Sequence, residues 1–273
     1  MNKIKLIKSN LLSNSLETSF NILNNDKKLS IHTHGFFCKN GGISKDNYAS
    51  LNFGGNDKKE YIAENYQIIA KYLNIKREKI INVKQYHSNK VVLLEENNVN
   101  KIVTNSYQAD GIITNITNLA ISILTADCVP VLIHATDINY IAAIHAGWQG
   151  AVNNIVINAI ELLISKGSKA NNIKCAIMPS ICSNSYEVQE DLYQNIMQKN
   201  QLNKKFFIFN NDKIYFDLRK LIINQLNDKD ITKIDNIEID TYQNNQDCFS
   251  YRRATQQKLS STGRHLSFIM LKS

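Results

Sequence analysis

Residues 129–144, VPVLIHATDINYIAAI, restrict the fold more than any other stretch. Two apolar runs, 129–135 and 140–144, flank the turn-type residues Thr136-Asp137-Ile138-Asn139. Such a pattern reads as a β-hairpin whose strands lie in the interior. Upstream, 80–83, 91–94, 111–114 and 120–124 are strand-like. Downstream, 237–242 and 267–271 are as well.

Helical spacing appears in three places. Ile62, Tyr66, Ile69 and Leu73 follow Asp57-Lys58-Lys59-Glu60, a capping-box pattern. Val152, Ile155, Val156, Ala159, Ile160 and Leu163 mark the apolar face of one long helix, with Gly167 placed to cap its C-terminus. Residues 217–226 form a third amphipathic segment. Strands and helices mix without strict βαβ alternation. The expected fold class is therefore α+β, with mixed β-sheets packed together and flanking helices in a single domain. No linker or repeat divides the chain. Residues 31–273 are expected to form the domain, and 1–30 an N-terminal extension packed on it.

Composition narrows the function classes. Lys and Arg number 32 against 24 Asp and Glu, a net charge of +8. The lysines are scattered, so they read as a solvated basic surface rather than a nucleic-acid face. The five cysteines have no framework spacing, which argues against a disulfide scaffold. Neither a signal-peptide core nor an apolar run of membrane-spanning length is present. The expectation is a soluble cytoplasmic protein with no membrane or nucleic-acid partner. In a chain with only 10 Gly and 2 Pro, the placement of Pro130, Pro179 and the glycines at 41–42, 54–55 and 147–150 points to special backbone geometry.

The stretch LTADCVPV, residues 124–131, sets a polar step and a thiol before the first hairpin strand. Cys128 begins that strand and His145 ends the second. Antiparallel pairing brings the two ends together, so this thiol and imidazole are expected to be neighbours. His145 also precedes a glycine-flanked turn into a helix, whose free N–H groups favour a thiolate or a bound anion. His87, at a turn between 80–83 and 91–94, is a third candidate. A His/Cys/His set suits zinc with water in the fourth position, and such water loses its proton near neutral pH. The competing readings are capped surface histidines at strand ends and a cysteine acting as a small buried hydrophobe. Asp127 is the nearest candidate proton carrier, or a turn cap. His32, His34 and His265 sit beside apolar segments, and His134 reads as a satisfied strand residue.

Two other segments carry candidate binding groups. Residues 33–55 are loop-rich, with Ser44, Tyr48 and Asn52 as hydrogen-bonding side chains. Residues 248–271 set Phe249, Tyr251, Arg252 and Arg253 ahead of a final strand. Aromatic rings stack on flat rings and arginines pair with phosphates. The alternative is a strand edge with solvated arginines.

Taken in order, these motifs resemble the YfiH-type family, also called laccase-domain (polyphenol oxidoreductase-like) or purine nucleoside phosphorylase. The likeness rests on His34-Gly35-Phe36-Phe37, Gly41-Gly42-Ile43-Ser44, Tyr48-Ala49-Ser50-Leu51-Asn52, Gln85-Tyr86-His87 and Ala109-Asp110. It continues through Thr125-Ala126-Asp127-Cys128-Val129-Pro130-Val131, His145-Ala146-Gly147-Trp148, Tyr186-Glu187-Val188, Phe249-Ser250-Tyr251-Arg252-Arg253 and Thr262-Gly263-Arg264. It runs from about Thr33 to Leu271.

The resemblance implies a zinc site, with copper as a possible occupant, at His87, Cys128 and His145. Ser44, Asn52, Gln85, Arg252 and Arg253 are the expected substrate contacts. The resemblance also implies an α+β layout related to the cysteine-histidine domain of deamidating toxins. The implied activity is phosphorolysis of adenosine, inosine, guanosine or methylthioadenosine, with nucleoside and phosphate as partners and adenosine deamination as a second reaction. Alternatives are amide hydrolysis in peptidoglycan precursor editing, copper-dependent polyphenol oxidation, and a non-catalytic metal or nucleotide-binding protein. A metal-free variant would use Cys128 as nucleophile and His145 as base. Monomer and homodimer both stay open. Three positions depart from the family pattern: Ser88 and Met178 stand where glycine is usual, and Gln149 where arginine is usual. Gln149 removes a bidentate anion partner.

Overall fold

The computed structural model describes residues 3–13, 32–99 and 107–273. Its first eight strands are β1 (Leu6–Ile7), β2 (His32–Phe37), β3 (Ile80–Asn82), β4 (Val91–Leu94), β5 (Gly111–Thr114), β6 (Ala120–Thr125), β7 (Val129–Ala135) and β8 (Tyr140–Ala146). Then follow β9 (Ile173–Ile177), β10 (Glu187–Val188), β11 (Phe207–Asn210), β12 (Lys213–Phe216), β13 (Lys233–Asn236) and β14 (His265–Leu271). The α-helices are α1 (Lys59–Leu73), α2 (Trp148–Val152), α3 (Ile155–Ser165), α4 (Glu190–Lys199), α5 (Leu218–Asn227) and α6 (Tyr251–Gln256).

Two mixed sheets form the body: β13-β9-β7-β8-β5-β4, and β1-β2-β14-β6-β3. A small antiparallel sheet, β10-β12-β11, lies apart from them in pairing. The α+β class with packed mixed sheets and flanking helices is what the structure shows.

Side-chain alternation fixes the layers. On one face of the six-stranded sheet, Ile113, Val131, Ile133, Ala142 and Ile144 pack with Val156, Ile160, Leu163, Leu221 and Ile222 of α3 and α5. On the other face, Ile112, Leu132, Ile141 and Ala143 pack with Phe36, Ile121, Ile123 and Ile269 of the second sheet. That sheet turns Phe37, Leu266, Phe268 and Met270 outward against Tyr66 and Ile69 of α1. The order is helix, sheet, sheet, helices. Every residue of β7 is buried because both faces of its sheet are covered. Each fully buried Val, Leu or Ile contributes roughly 1.5–3 kcal/mol relative to exposure.

The expected 129–144 hairpin forms, and its second strand runs on to Ala146. Three expectations need correction. The single helix over Val152 to Leu163 is two helices. Asn154 adopts φ 67° between α2 and α3, where the Gln225 amide donates to the Ala151 carbonyl and to Asn154 Oδ1. Asp57 does not cap α1. Its carboxylate accepts from Lys58 N–H and from Asn52 Nδ2, and the N-cap position is Lys58. The strand expected at 237–242 falls instead at 233–236, pairing parallel with β9. The carbonyls of Ile237 and Ile239 accept from the buried Arg219 guanidinium, which takes them out of any strand ladder.

Residues 3–13 lie against the domain. Leu6–Ile7 pair with β2, Ser9 N–H donates to His34 Nε2, and Leu12 is buried. The boundary expected between 30 and 31 lies outside the described residues. Among the described residues, no helix is long and apolar enough to cross a membrane.

Candidate metal centre

The hairpin register sets the first pair of side chains. Val129 lies opposite Ala146 and Pro130 opposite His145, so Cys128 stands just beyond the end of β8. His87 reaches the same point from the turn after β3, where it holds φ 64°. Its Nε2 is 3.9 Å from Cys128 Sγ. The two imidazole rings meet edge to face, with centroids 4.9 Å apart and planes at 75°. One candidate ligand atom from each of His87, Cys128 and His145 lies within 4.8 Å of the others. Tetrahedral zinc with N and S ligands needs separations of roughly 3.5 Å, so a small contraction would complete a three-ligand site. His87 is exposed, Cys128 half-buried and His145 buried, which leaves the site open on the His87 side.

Two glycines make this approach possible. A Cβ on Gly147 would stand 2.8 Å from His87 Cδ2 and 3.4 Å from Cys128 Sγ. A Cβ on Gly150 would stand 2.6 Å from the Ser88 carbonyl oxygen. The glycines of HAGWQG let the start of α2 lie flush against the turn that carries His87.

The residue that organises the centre is Asp110, fully buried at the start of β5. One carboxylate oxygen accepts from His145 Nδ1 at 2.8 Å and from His87 N–H at 3.0 Å. The other accepts from Ser88 N–H and Ser88 Oγ, both at 2.7 Å, and Tyr86 N–H approaches both oxygens. Burial alone would raise its pKa, but the His145 and Ser88 bonds outweigh it and hold the carboxyl at about 2. With Nδ1–H committed to Asp110, a neutral His145 would present its Nε2 lone pair towards Cys128 and His87, the arrangement found behind metal-bound histidines. Sequence spacing gives Asp110 no role, although Ala109-Asp110 belongs to the matching motifs. The available signal was its place immediately before a strand that pairs with the His145 strand.

Charge follows from this packing. Burial pushes the Cys128 thiol up, but His145 and His87 outweigh it and lower its pKa to about 6. Burial pushes His145 down, and the Cys128 thiolate and Asp110 reverse that to about 9. Each of the two groups thus favours the charged form of the other.

The other candidate residues have mostly internal partners. The Asp127 carboxylate accepts from Thr241 Oγ1 at 2.7 Å, Ser250 Oγ at 2.9 Å and Arg252 N–H at 2.7 Å. It ties the C-terminal segment to the residue beside Cys128. Gln85 donates to the Leu124 carbonyl and accepts from Leu124 N–H, extending the contact between the His87 turn and β6. Ser44 and Asn52 are buried and held by Asn65 of α1, whose Nδ2 donates to Ser44 Oγ and to the Asn52 carbonyl. The Asn52 Oδ1 accepts from Gly54 and Arg264 N–H groups. Arg253 donates to the carbonyls of Thr241, Tyr242 and Cys248. Arg252 donates to the Glu187 carbonyl and lies over the Tyr186 ring at 5.4 Å. These bonds order loops, a role sequence spacing does not separate from substrate contact.

Two further groups belong near the thiol. Arg264 and Tyr186 both interact electrostatically with Cys128. Arg264 also lies 5.9 Å over the ring of Tyr251, an exposed aromatic. Gln149 is exposed on α2. Ser88, in place of glycine, adds one bond to Asp110.

Comparison with known proteins gives concordant results. Residues 33–272 match the sequence profile of the family described as multi-copper polyphenol oxidoreductase laccase. The chain is 36% identical over 228 residues to a protein of Rickettsia prowazekii named purine nucleoside phosphorylase, covering 80% of this chain and 92% of the relative. A Rickettsia conorii protein of the same name is 32% identical over 249 residues, covering 90% and 94%. The crystal structure of Bacillus licheniformis hypothetical protein YfiH superposes with a TM-score of 0.80 at 26% identity, covering 88% of this chain and 93% of that one. YlmD from Geobacillus stearothermophilus shares the fold, with a TM-score of 0.80 at 23% identity over 89% and 93%.

Proposed function

The chain belongs to the family described as multi-copper polyphenol oxidoreductase laccase, and from that premise we propose that it acts as a purine nucleoside phosphorylase. The observation that carries this reading is the convergence of His87, Cys128 and His145 on one point behind Asp110. It is supported by relatives of that name, which match over most of the chain.

In this reading the three side chains hold a metal ion, zinc by the chemistry of the donor set. Such an ion supplies Lewis-acid charge that polarises an oxygen of the reacting groups. The chain's own residues do the rest. Asp110 keeps the proton on His145 Nδ1 and fixes the His87 turn. Arg264 supplies positive charge beside the centre, and Tyr251 offers an exposed ring face for a flat base. Asp127 is assigned no proton transfer, because three donors occupy its carboxylate. Its part is to hold Ser250 and Arg252 in place. Phosphorolysis would break the bond between ribose and base and join ribose C1′ to a phosphate oxygen.

A second reading rests on one observation, the alignment in which Asp110 accepts from His145 Nδ1 and the His145 ring stands beside the Cys128 thiol. That arrangement also suits a metal-free cysteine nucleophile acting on an amide, as peptidoglycan precursor editing would require.

The test is an assay of adenosine, inosine, guanosine and methylthioadenosine with and without phosphate, together with metal analysis of the purified protein. Ribose 1-phosphate formed only with phosphate, and lost in His87→Ala and Cys128→Ala, is the expected result. Ammonia release without phosphate would identify deamination instead. Activity on an amide that survives metal removal and ends on alkylation of Cys128 would establish the second reading. Metal-loaded protein that cleaves no nucleoside would overturn the first.

A further inference from the structure

A hollow of about 170 Å³ lies among residues 39–49 and 245–262, and none of His87, Cys128 and His145 lines it. Two cations do. Lys39 is half-buried, and its ammonium makes no hydrogen bond or ion pair among the described residues. Asp247, a carboxylate that interacts with it electrostatically, is already engaged by Lys5 Nζ, Asn40 Nδ2 and Asn244 Nδ2. Arg253 commits three of its five N–H donors to the carbonyls of Thr241, Tyr242 and Cys248, which leaves two.

Asn47, Asn245 and Gln257 also line the hollow, and none of their side chains hydrogen-bonds to another described residue. Asp46, exposed, is the one acid among the lining residues. Burial and the neighbouring Arg253 hold the Lys39 pKa below its ordinary value, against the smaller opposing effect of Asp247. A liquid water occupies about 30 Å³, so the space suits an ion with four oxygens. It falls short of the roughly 300 Å³ at which pockets for larger organic ligands begin.

We propose that Lys39 and Arg253 form a binding site for a small tetrahedral oxyanion of the phosphate class, separate from the metal ligands. The cations supply charge-assisted bonds, and the three amides supply neutral donors around the remaining oxygens. The site does not depend on the protein's being a phosphorylase.

The test is calorimetric titration of inorganic phosphate into the wild type, Lys39→Met, Lys39→Arg and His87→Ala, with circular dichroism to show that each is folded. Lys39 N–H donates to the Asp247 carbonyl and its own carbonyl accepts from Ser50 and Leu51 N–H, bonds that either substitution leaves in place. Loss of one charged partner should weaken phosphate binding by about tenfold or more in Lys39→Met. Lys39→Arg should bind closer to wild type, and His87→Ala should keep a phosphate site that Lys39→Met lacks. Three results would overturn the site: no binding by the wild type at millimolar phosphate, equal affinity in Lys39→Met, or affinity lost in His87→Ala and kept in Lys39→Met. An active phosphorylase whose phosphate binding ignores Lys39 would remove this site and leave the proposed function standing.

Discussion

His145 Nδ1 lies 2.8 Å from a carboxylate oxygen of Asp110, and the same oxygen accepts the His87 backbone N–H at 3.0 Å. One buried carboxylate therefore aims two of the three candidate ligands. Asp110→Asn should weaken metal affinity about 10–100-fold, the usual cost of losing such a partner. Competitive titration with a chelating dye measures this. Unchanged affinity would mean that the His145 ring is held by packing alone.

Gly147 has no room for a side chain. Gly147→Ala would place a Cβ 2.8 Å from His87 Cδ2. The exposed His87 is the partner free to move, so the expected result is a folded protein with lowered metal affinity. A thermal melt together with metal titration separates the two effects.

His265 governs a stability change in acid. It is fully buried, its Nδ1–H donates to the Phe37 carbonyl, and its Nε2 accepts Phe249 N–H at 2.7 Å. Burial holds its pKa down at about 3. Above about pH 6.5, folded and unfolded forms are both neutral and the shift costs nothing. Below that, the unfolded chain takes up a proton that the folded chain refuses. Stability from this residue should fall by roughly 1.4 kcal/mol per pH unit until pH nears 3. His265→Gln removes the titration. Urea unfolding from pH 7 to pH 4 should then show the gap between wild type and variant narrowing as pH drops.

Asp127 is expected to act through stability and position. Asp127→Ala strands the donors of Thr241, Ser250 and Arg252, each buried or half-buried. A loss of about 1–3 kcal/mol is expected from unfolding curves. Proteolysis within 241–252 should become faster as well.

Gln149 offers a clean chemical comparison. It is exposed, and its side chain makes no hydrogen bond among the described residues. Gln149→Arg should therefore leave stability within about 0.5 kcal/mol. Any change in the phosphate dependence of activity then reports the added guanidinium and not refolding.

What the sequence disclosed follows the range of each interaction. The Cys128 and His145 pairing was legible because one hairpin register decides it. His87 was legible as a third candidate only by its turn between two strand-like runs, and the resemblance joined it to the pair, since its approach depends on Asp110 and on two glycines in another element. Asp110 itself was passed over, because a buried carboxylate before a strand has no local periodicity to mark it. The break at Asn154 was hidden for the opposite reason. The apolar spacing continues through it, and only Gln225 from a distant helix satisfies the groups it frees. Ser44 and Asn52 read as candidate binding groups because nothing local reveals that Asn65 claims them. Residues 237–242 have strand composition, but Arg219 takes two of their carbonyls.

The position of β14 between β2 and β6 has a consequence for biosynthesis. A ribosome makes β2, β3 and β6 well before it makes the strand that joins them. Until then β2 and β6 face each other across a gap, each with an unpaired backbone edge of the kind that recruits foreign strands. His87, Cys128 and His145 are all translated before that gap is filled. The nascent chain thus carries all three candidate ligands while one of its two main sheets is unfinished, and that sheet's exposure to aggregation ends only when residues 265–271 leave the exit tunnel.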